Sequence, residues 1–291
     1  MSRPELPADP WLETLLRQAL REDVGDGDVT TELAVAPDRR ARGAVRARAA
    51  GVVCGLPLLP RLFALLDPAV TVTPRCADGD SLAPGDVLAE IAGPAAPILT
   101  GERTALNLLQ YLGGIATQTA RYVAAVAGTG CRVLDTRKTL PGYRALAKYA
   151  VRCGGGENHR LGLYDRYMLK DNHWTARRAP LAELVAEARR RRPDLLVEVE
   201  VDTLDQLAAV LPLRPDWILL DNFPPEQAAA AVRRRDALRG DGDERPLLEA
   251  SGNVTLETVR AYAEAGVDAV SVGRLTHSVT ALDIGLDLEE A

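Results

Sequence analysis

Residues 195–221, LLVEVEVDTLDQLAAVLPLRPDWILLD, decide the fold. They read as an apolar strand at 195–200, an amphipathic helix at 203–211 and a second apolar strand at 217–221. Two strands joined through a helix run parallel, because a parallel pair needs a crossover and cannot be closed by a tight turn. The same alternation extends in both directions. CRVLD at 131–135, RYMLK at 166–170, LLEA at 247–250 and DAVSV at 268–272 are further short apolar runs. Helical stretches at 143–152, 180–192, 224–239 and 255–265 separate them. Apolar strands alternating with amphipathic helices predict a parallel sheet covered on both faces. Repetition of the unit points to an α/β barrel, although six strands fall short of the usual number, about eight. A doubly wound sheet is the alternative, but no GxGxxG follows any of these strands.

Upstream of Gly130 the pattern differs. Trp11 to Arg21 carries its apolar residues on one helical stripe. EDVGDGDVTT at 22–31 reads as a tight Asp/Gly turn; an EF-hand loop is rejected because its twelfth position, counted from Asp23, is Ala34. Between Ala44 and Ile91, AVRARAAGVVCG and VTVTPRC look like strands and LPRLFALL like a helix. DGDSLAPGDVLAEI reads as two strands around a Pro-Gly turn. Residues 102–126 are helical across a Gly-Gly break at 113–114, and are expected to bridge a smaller N-terminal domain and the barrel.

Composition narrows the function. A net charge of -6 with no basic tail argues against nucleic acid as the main ligand. No apolar run approaches the ~18 residues of a membrane span. The first residues, MSRPELPADPW, contain no signal-peptide core. Four cysteines far apart, with no CxxC, disfavour a zinc knuckle or disulfide framework and suit a cytoplasmic protein. Lysine is scarce: Lys138, Lys148 and Lys170 stand against 32 arginines. Three histidines and five asparagines complete a set of eleven rare side chains, seven of which fall between 138 and 174. Arginine has taken over general surface duty, so the lysines that remain are candidates for chemistry that needs a compact ammonium.

A parallel barrel presents its site at the carboxyl ends of its strands. Those ends read Asp135-Thr136-Arg137-Lys138, Lys170-Asp171-Asn172-His173, Glu198 to Asp202, Asp221-Asn222, Ser251-Gly252-Asn253 and Ser271 to Arg274. The charges sort by sign. Arg137, Lys138, His159, Arg160 and Lys170 come from the first half, and the carboxylates Glu200 and Asp221 from the middle. The last two units supply Ser251-Gly252-Asn253 and Ser271-Val272-Gly273, small residues whose backbone N–H groups can approach a phosphate. The pattern predicts a phosphorylated, polyanionic substrate, with the carboxylates left for a divalent cation or ribose hydroxyls. Plainer readings exist for each part. Arg137 and Lys138 could cap a strand end, Glu200 and Asp221 could pair with arginines, and Gly154-Gly155-Gly156 could be a connector. His277 reads as a packing or capping residue, and the arginine runs 189–192 and 233–235 as solvated helix ends.

DTRKTLPGYRALAKYAVRCGGGENHRLGLYDRYMLKDNH at 135–173 closely resembles the signature of the quinolinate phosphoribosyltransferase family. VEVEV at 197–201, LLDN at 219–222, EASGN at 249–253 and SVGRLTHS at 271–278 continue the match. So do EDVGDGDVTT and 101–123 upstream, although Gly101 and Tyr111 depart from the usual pattern. The resemblance implies an α/β architecture, an open α/β barrel at 116–276 and a smaller α/β sandwich domain at 1–115 joined by the C-terminal segment 277–291. It implies transfer of phosphoribosyl from 5-phosphoribosyl-1-pyrophosphate to quinolinate with magnesium, giving nicotinate mononucleotide, pyrophosphate and carbon dioxide. It also implies a homodimer in which Arg103 enters the partner's site. Arg137, His159, Arg160 and Lys170 match positions around the quinolinate carboxylates, and Lys138 a lysine between the two substrates. Glu200 and Asp221 match the pair near ribose and magnesium, and Ser251, Gly252, Ser271 and Gly273 the 5-phosphate cradle. Three rivals remain: a related transferase for another heterocyclic acid, a Schiff-base aldolase using Lys170, and a phosphometabolite sensor without turnover.

Overall fold

A computed structural model of the chain describes residues 4–6, 11–170, 173, 176, 178–238 and 245–290. The expected site residues Asp171 and Asn172 lie outside the described residues. In chain order the first elements are α1 (Leu12–Val24), α2 (Val29–Ala34), β1 (Arg40–Ala47), β2 (Gly51–Val52) and α3 (Leu58–Leu66). Then come β3 (Thr71–Pro74), β4 (Ser81–Leu82), β5 (Val87–Pro94), α4 (Ala95–Ala125), β6 (Arg132–Leu134) and α5 (Arg144–Cys153). β7 (Tyr167–Leu169), α6 (Leu181–Arg191), β8 (Val197–Val201), α7 (Leu204–Val210), β9 (Trp217–Asp221) and α8 (Pro225–Asp236) follow. β10 (Leu247–Ser251), α9 (Val259–Glu264), β11 (Ala269–Ser271), α10 (Arg274–His277) and β12 (Ile284–Glu290) complete the order.

The chain divides into two compact units. The first comprises residues 1–120, 141–155 and 278–291. Its main sheet is antiparallel, ordered β12-β1-β5-β3, so the C-terminal strand pairs with β1 from Ala41↔Glu290 to Ala47↔Ile284. Residues 22–31 hold more than a turn: α1 runs to Val24, and Asp28 caps α2 by accepting from Thr31 N at 3.0 Å. A short polar segment before an apolar stripe looks like a turn, yet an N-cap aspartate is also a helix start.

The Gly-Gly pair at 113–114 does not break α4, which runs unbroken from Ala95 to Ala125. A side chain on Gly114 would meet Thr280 O at 2.3 Å, and one on Gly113 would meet Leu282 Cδ2 at 3.1 Å. These glycines let the returning C-terminal segment lie against the helix, where Leu282 N donates to Gln110 O at 2.9 Å. Close packing, not flexibility, is their role. The segment 141–155, expected in the barrel, belongs to the first unit. Its helix α5 buries Ala147, Tyr149, Ala150, Val151 and Cys153 there. Tyr149 Oη donates to Asp78 at 2.7 Å, and Gly154 fits where a Cβ would lie 2.3 Å from Ala116 O. Lys148, whose role the sequence left open, is buried within this helix.

The second unit comprises residues 121–140 and 156–277. Its six parallel strands are ordered β6-β11-β10-β9-β8-β7. β6 and β7 therefore occupy opposite edges and the barrel stays open, as the resemblance implies. A parallel bridge from Leu134 to Glu157 extends the β6 edge. In β8 the alternation Val-Glu-Val-Glu-Val sends the three valines to one face and Glu198 and Glu200 to the other, with all five buried. Ile218, Leu220, Leu248, Ala250 and Val270 add fully buried apolar side chains. Among the described residues, no helix is long and apolar enough to cross a membrane.

Candidate active site

The carboxyl ends of these strands form a cleft of about 330 Å³ lined by Arg137, Lys138, His159, Arg160, Lys170, Glu200, Asp221, Ser251 and Ser271. Thr136, Met168, Leu219 and Glu249 complete its wall. Nine of the residues singled out in the sequence thus meet in one pocket. Gly252 and Gly273 sit in the turns after β10 and β11. Arg103, on an exposed position of α4, is described with the first unit.

Loop and strand chemistry explain how each group is held. Buried Asp135, just past β6, accepts from Asn158 Nδ2 at 2.6 Å and from His159 N at 2.8 Å. One carboxylate therefore pins the loop carrying His159 and Arg160 to the strand end. Thr276 Oγ1 donates to Lys138 O at 2.8 Å, fixing the backbone from which Lys138 projects. A Cβ on Gly273 would meet Lys138 Cδ at 3.0 Å, so glycine there leaves room for the lysine stem.

The pocket's electrostatics are polarised. Arg137 Nε is buried and has no hydrogen-bond partner among the described residues. Burial lowers the Arg160 pKa, and the charge of Arg137 lowers it further. Two guanidiniums held together, one with an unsatisfied nitrogen, make a site that an anion would relieve. In the same cleft, Lys170 Nζ forms an ion pair with Glu200 Oε2. That commitment sets Lys170 apart from the lysine of a Schiff-base enzyme, which sits in an apolar pocket or beside another cation. Burial raises the Asp221 pKa and so does Asp202, against the pull of Lys170 and Lys138. Asn222, at φ 55°, donates Nδ2 to Asp221 Oδ2 at 2.8 Å and its backbone N to Ser251 O at 2.8 Å. β9 and β10 are thus tied together where the carboxylate emerges.

Below His159 lies a group of charges that the sequence reading did not single out for the site. Its Nε2 is 3.1 Å from Glu198 Oε2 and 3.4 Å from Glu249 Oε2, and Arg166 Nη1 donates to Glu198 Oε2 at 3.0 Å. Burial opposes charge on the ring, but the two carboxylates outweigh it and push His159 up to about 9. Nδ1 accepts from Arg160 N at 2.7 Å, so in the neutral ring the proton sits on Nε2, facing the carboxylates. The signal for Glu198 was present in VEVEV, whose period of two puts it on the face of Glu200. For Glu249 no such signal exists, because its strand reads LLEA and its inward direction follows only from pairing with β9.

Comparison with known proteins agrees with this geometry. The model of the quinolinate phosphoribosyl transferase C-terminal domain matches residues 115–287, and that of the N-terminal domain matches residues 28–113. The chain is 46% identical over 278 residues to the nicotinate-nucleotide pyrophosphorylase (carboxylating) of Mycobacterium leprae, covering 94% of this chain and 95% of that protein. It is 40% identical over 278 residues to the probable nicotinate-nucleotide pyrophosphorylase (carboxylating) of Bacillus subtilis, covering 95% of this chain and 93% of the other. The crystal structure of NadC from Streptococcus pyogenes superposes with a TM-score of 0.90 at 39% identity, covering 99% of this chain and 100% of that one. The chain belongs to the quinolinate phosphoribosyltransferase family.

Proposed function

We propose that this protein joins quinolinate to 5-phosphoribosyl-1-pyrophosphate and releases carbon dioxide and pyrophosphate, forming nicotinate mononucleotide for NAD biosynthesis. The observation that carries the reading is the buried Arg137 Nε, without a hydrogen-bond partner among the described residues, beside Arg160 in a cleft also lined by Glu200 and Asp221. Quinolinate brings two adjacent carboxylates, which guanidiniums can grip bidentately. Its ring nitrogen attacks ribose C1 as the bond from C1 to the pyrophosphate oxygen breaks. Positive charge then grows on the ribose, facing Glu200 and Asp221, which stabilise it without reorganising. Loss of carbon dioxide next leaves an electron pair on ring C2. The adjacent nitrogen, positive once bonded to ribose, accommodates that pair until a proton arrives. Ribosyl transfer therefore precedes decarboxylation.

The donor set fits a magnesium ion. Asp221 and Glu200 end neighbouring strands, and the raised pKa of Asp221 reflects burial together with surplus negative charge that a cation would relieve. Bound there, magnesium would offset charge on the departing pyrophosphate. Ser251, Gly252, Ser271 and Gly273 are assigned to the 5-phosphate and Lys138 to the space between the substrates. The working form is a cytoplasmic homodimer in which Arg103 of one subunit reaches the site of its partner. Incubation with quinolinate, 5-phosphoribosyl-1-pyrophosphate and magnesium should yield nicotinate mononucleotide and carbon dioxide in equal amounts. No product, or equal turnover of nicotinate, would overturn the reading. Glu200→Ala should abolish turnover, which a sensor would not have to lose.

A further inference from the structure

We infer that Glu249, acting with Glu198, is a positioning residue for quinolinate binding: the two buried carboxylates anchor the His159 ring and, through it, the backbone of Arg160. Both glutamates are fully buried, and they come from different strands, β8 and β10. They converge on one atom, His159 Nε2, at 3.1 and 3.4 Å. The other ring nitrogen accepts from Arg160 N at 2.7 Å, so the ring is held at both ends. Arg166 closes the group. It donates to Glu198 at 3.0 Å and stacks over Trp217 with its guanidinium carbon 5.3 Å from the ring centre.

Neither oxygen of Glu249 has a hydrogen bond among the described residues. A buried carboxyl group without hydrogen bonds is costly, and a facing N–H or positive charge offsets part of that cost. Glu198 already has Arg166, so the group facing Glu249 is the His159 ring, whose Nε2–H points at it while Nδ1 holds Arg160 N; protonating the ring strengthens the first contact and gives up the second. The groups facing His159 are Glu198 from β8, Glu249 from β10, Arg166 from before β7, and Arg160 and Asp135 along its own loop. Of these, the two glutamates favour the charged ring, whereas Arg166 and the Arg160 N–H oppose it. Removing Glu249 removes one of the two carboxylates that favour the charged ring.

The inference rests on the proposed function, and the isosteric variant Glu249→Gln tests it. The chain has three histidines, His159, His173 and His277, so ring resonances can be followed by proton–nitrogen correlation NMR and assigned with His159→Asn. In the wild-type protein His159 should titrate above the ordinary histidine range, and in Glu249→Gln at least about one pH unit lower. The quinolinate KM should rise about tenfold at pH 8, with the 5-phosphoribosyl-1-pyrophosphate KM unchanged. An unmoved titration, or KM values that rise equally for both substrates, would overturn the inference. The NMR arm needs no substrate, so it stands even if the wild-type protein showed no turnover and the proposed function fell. If Glu249→Gln failed to fold, an ordinary or low wild-type titration of His159 would by itself refute the argument.

Discussion

Gly252→Ala tests the phosphate cradle at its tightest point. Gly252 has φ +90°, a conformation that costs an L-residue about 1–2 kcal/mol. The added Cβ would lie 2.2 Å from Asn222 Oδ1, 2.7 Å from Asn222 Cγ and 3.0 Å from Asn222 N. Asn222 cannot simply swing away, because it bonds Asp221 and Ser251 and accepts from Asn253 Nδ2 at 3.3 Å. Forcing those groups apart adds about 1–3 kcal/mol. Together the terms amount to about 2–5 kcal/mol, a fall in Tm of about 3–8 °C for a chain of 291 residues. Displacing Asn222 by about 1 Å drags Asp221 with it, and misplacement on that scale costs about 10²-fold in kcat/KM. The loss should appear chiefly in the KM for 5-phosphoribosyl-1-pyrophosphate, measured against quinolinate in steady-state kinetics. Gly273→Ala compares stability alone, since Gly273 is assigned to the same cradle: its Cβ meets side-chain atoms of Lys138 and His277 at 3.0–3.1 Å, which can yield, so its Tm should fall less. If Gly252→Ala kept kcat/KM within about threefold of wild type and its Tm unchanged, the packing argument and the phosphate assignment would both fail.

Three further expectations follow from other parts of the molecule. Asp221→Asn should lower kcat by about 10²-fold while leaving Tm equal or higher, because burial and Asp202 both disfavour the charge it removes; a large fall in Tm on calorimetry would contradict this. Tyr149→Phe should destabilise the chain by about 1.5–3 kcal/mol in denaturant unfolding, since it removes the 2.7 Å bond to buried Asp78, yet both KM values should hold. The raised pKa of His159 makes its stabilising contribution complete below the unfolded value of about 6.5 and lost as pH rises through about 9. Tm should therefore drop between about pH 6.5 and 9, by less in Glu249→Gln, and a flat profile would show that the His159 pKa is not raised in the folded chain.

Much of the site was legible because strand ends are local. CRVLD, RYMLK, LLVEVE, WILLD, LLEA and DAVSV each name a strand by their apolar run, and a parallel barrel gathers whatever follows them. The charged residues after those runs line one cleft, where Lys170 pairs with Glu200. Packing against distant residues was less readable. The Gly113–Gly114 pair looked like a helix break, since glycine weakens an isolated helix, but the approach of Thr280 and Leu282 requires it. The helix at 144–153 is amphipathic, which says that one face is buried and not against which core; its bond to Asp78 and the fit of Gly154 on Ala116 settled that.

The sequence by itself determined the barrel, its strands and the inventory of cations, carboxylates and small residues at their ends. Periodicity and strand direction suffice for that, because both depend on neighbours close along the chain. Only the tertiary structure decided how the charges pair: Glu200 with Lys170, and Glu198 and Glu249 with His159. It also left Arg137 Nε without a hydrogen-bond partner among the described residues, beside Arg160. Those pairings join strands and loops far apart in the chain, and Coulomb energies depend on separation and burial in space, which no local pattern encodes.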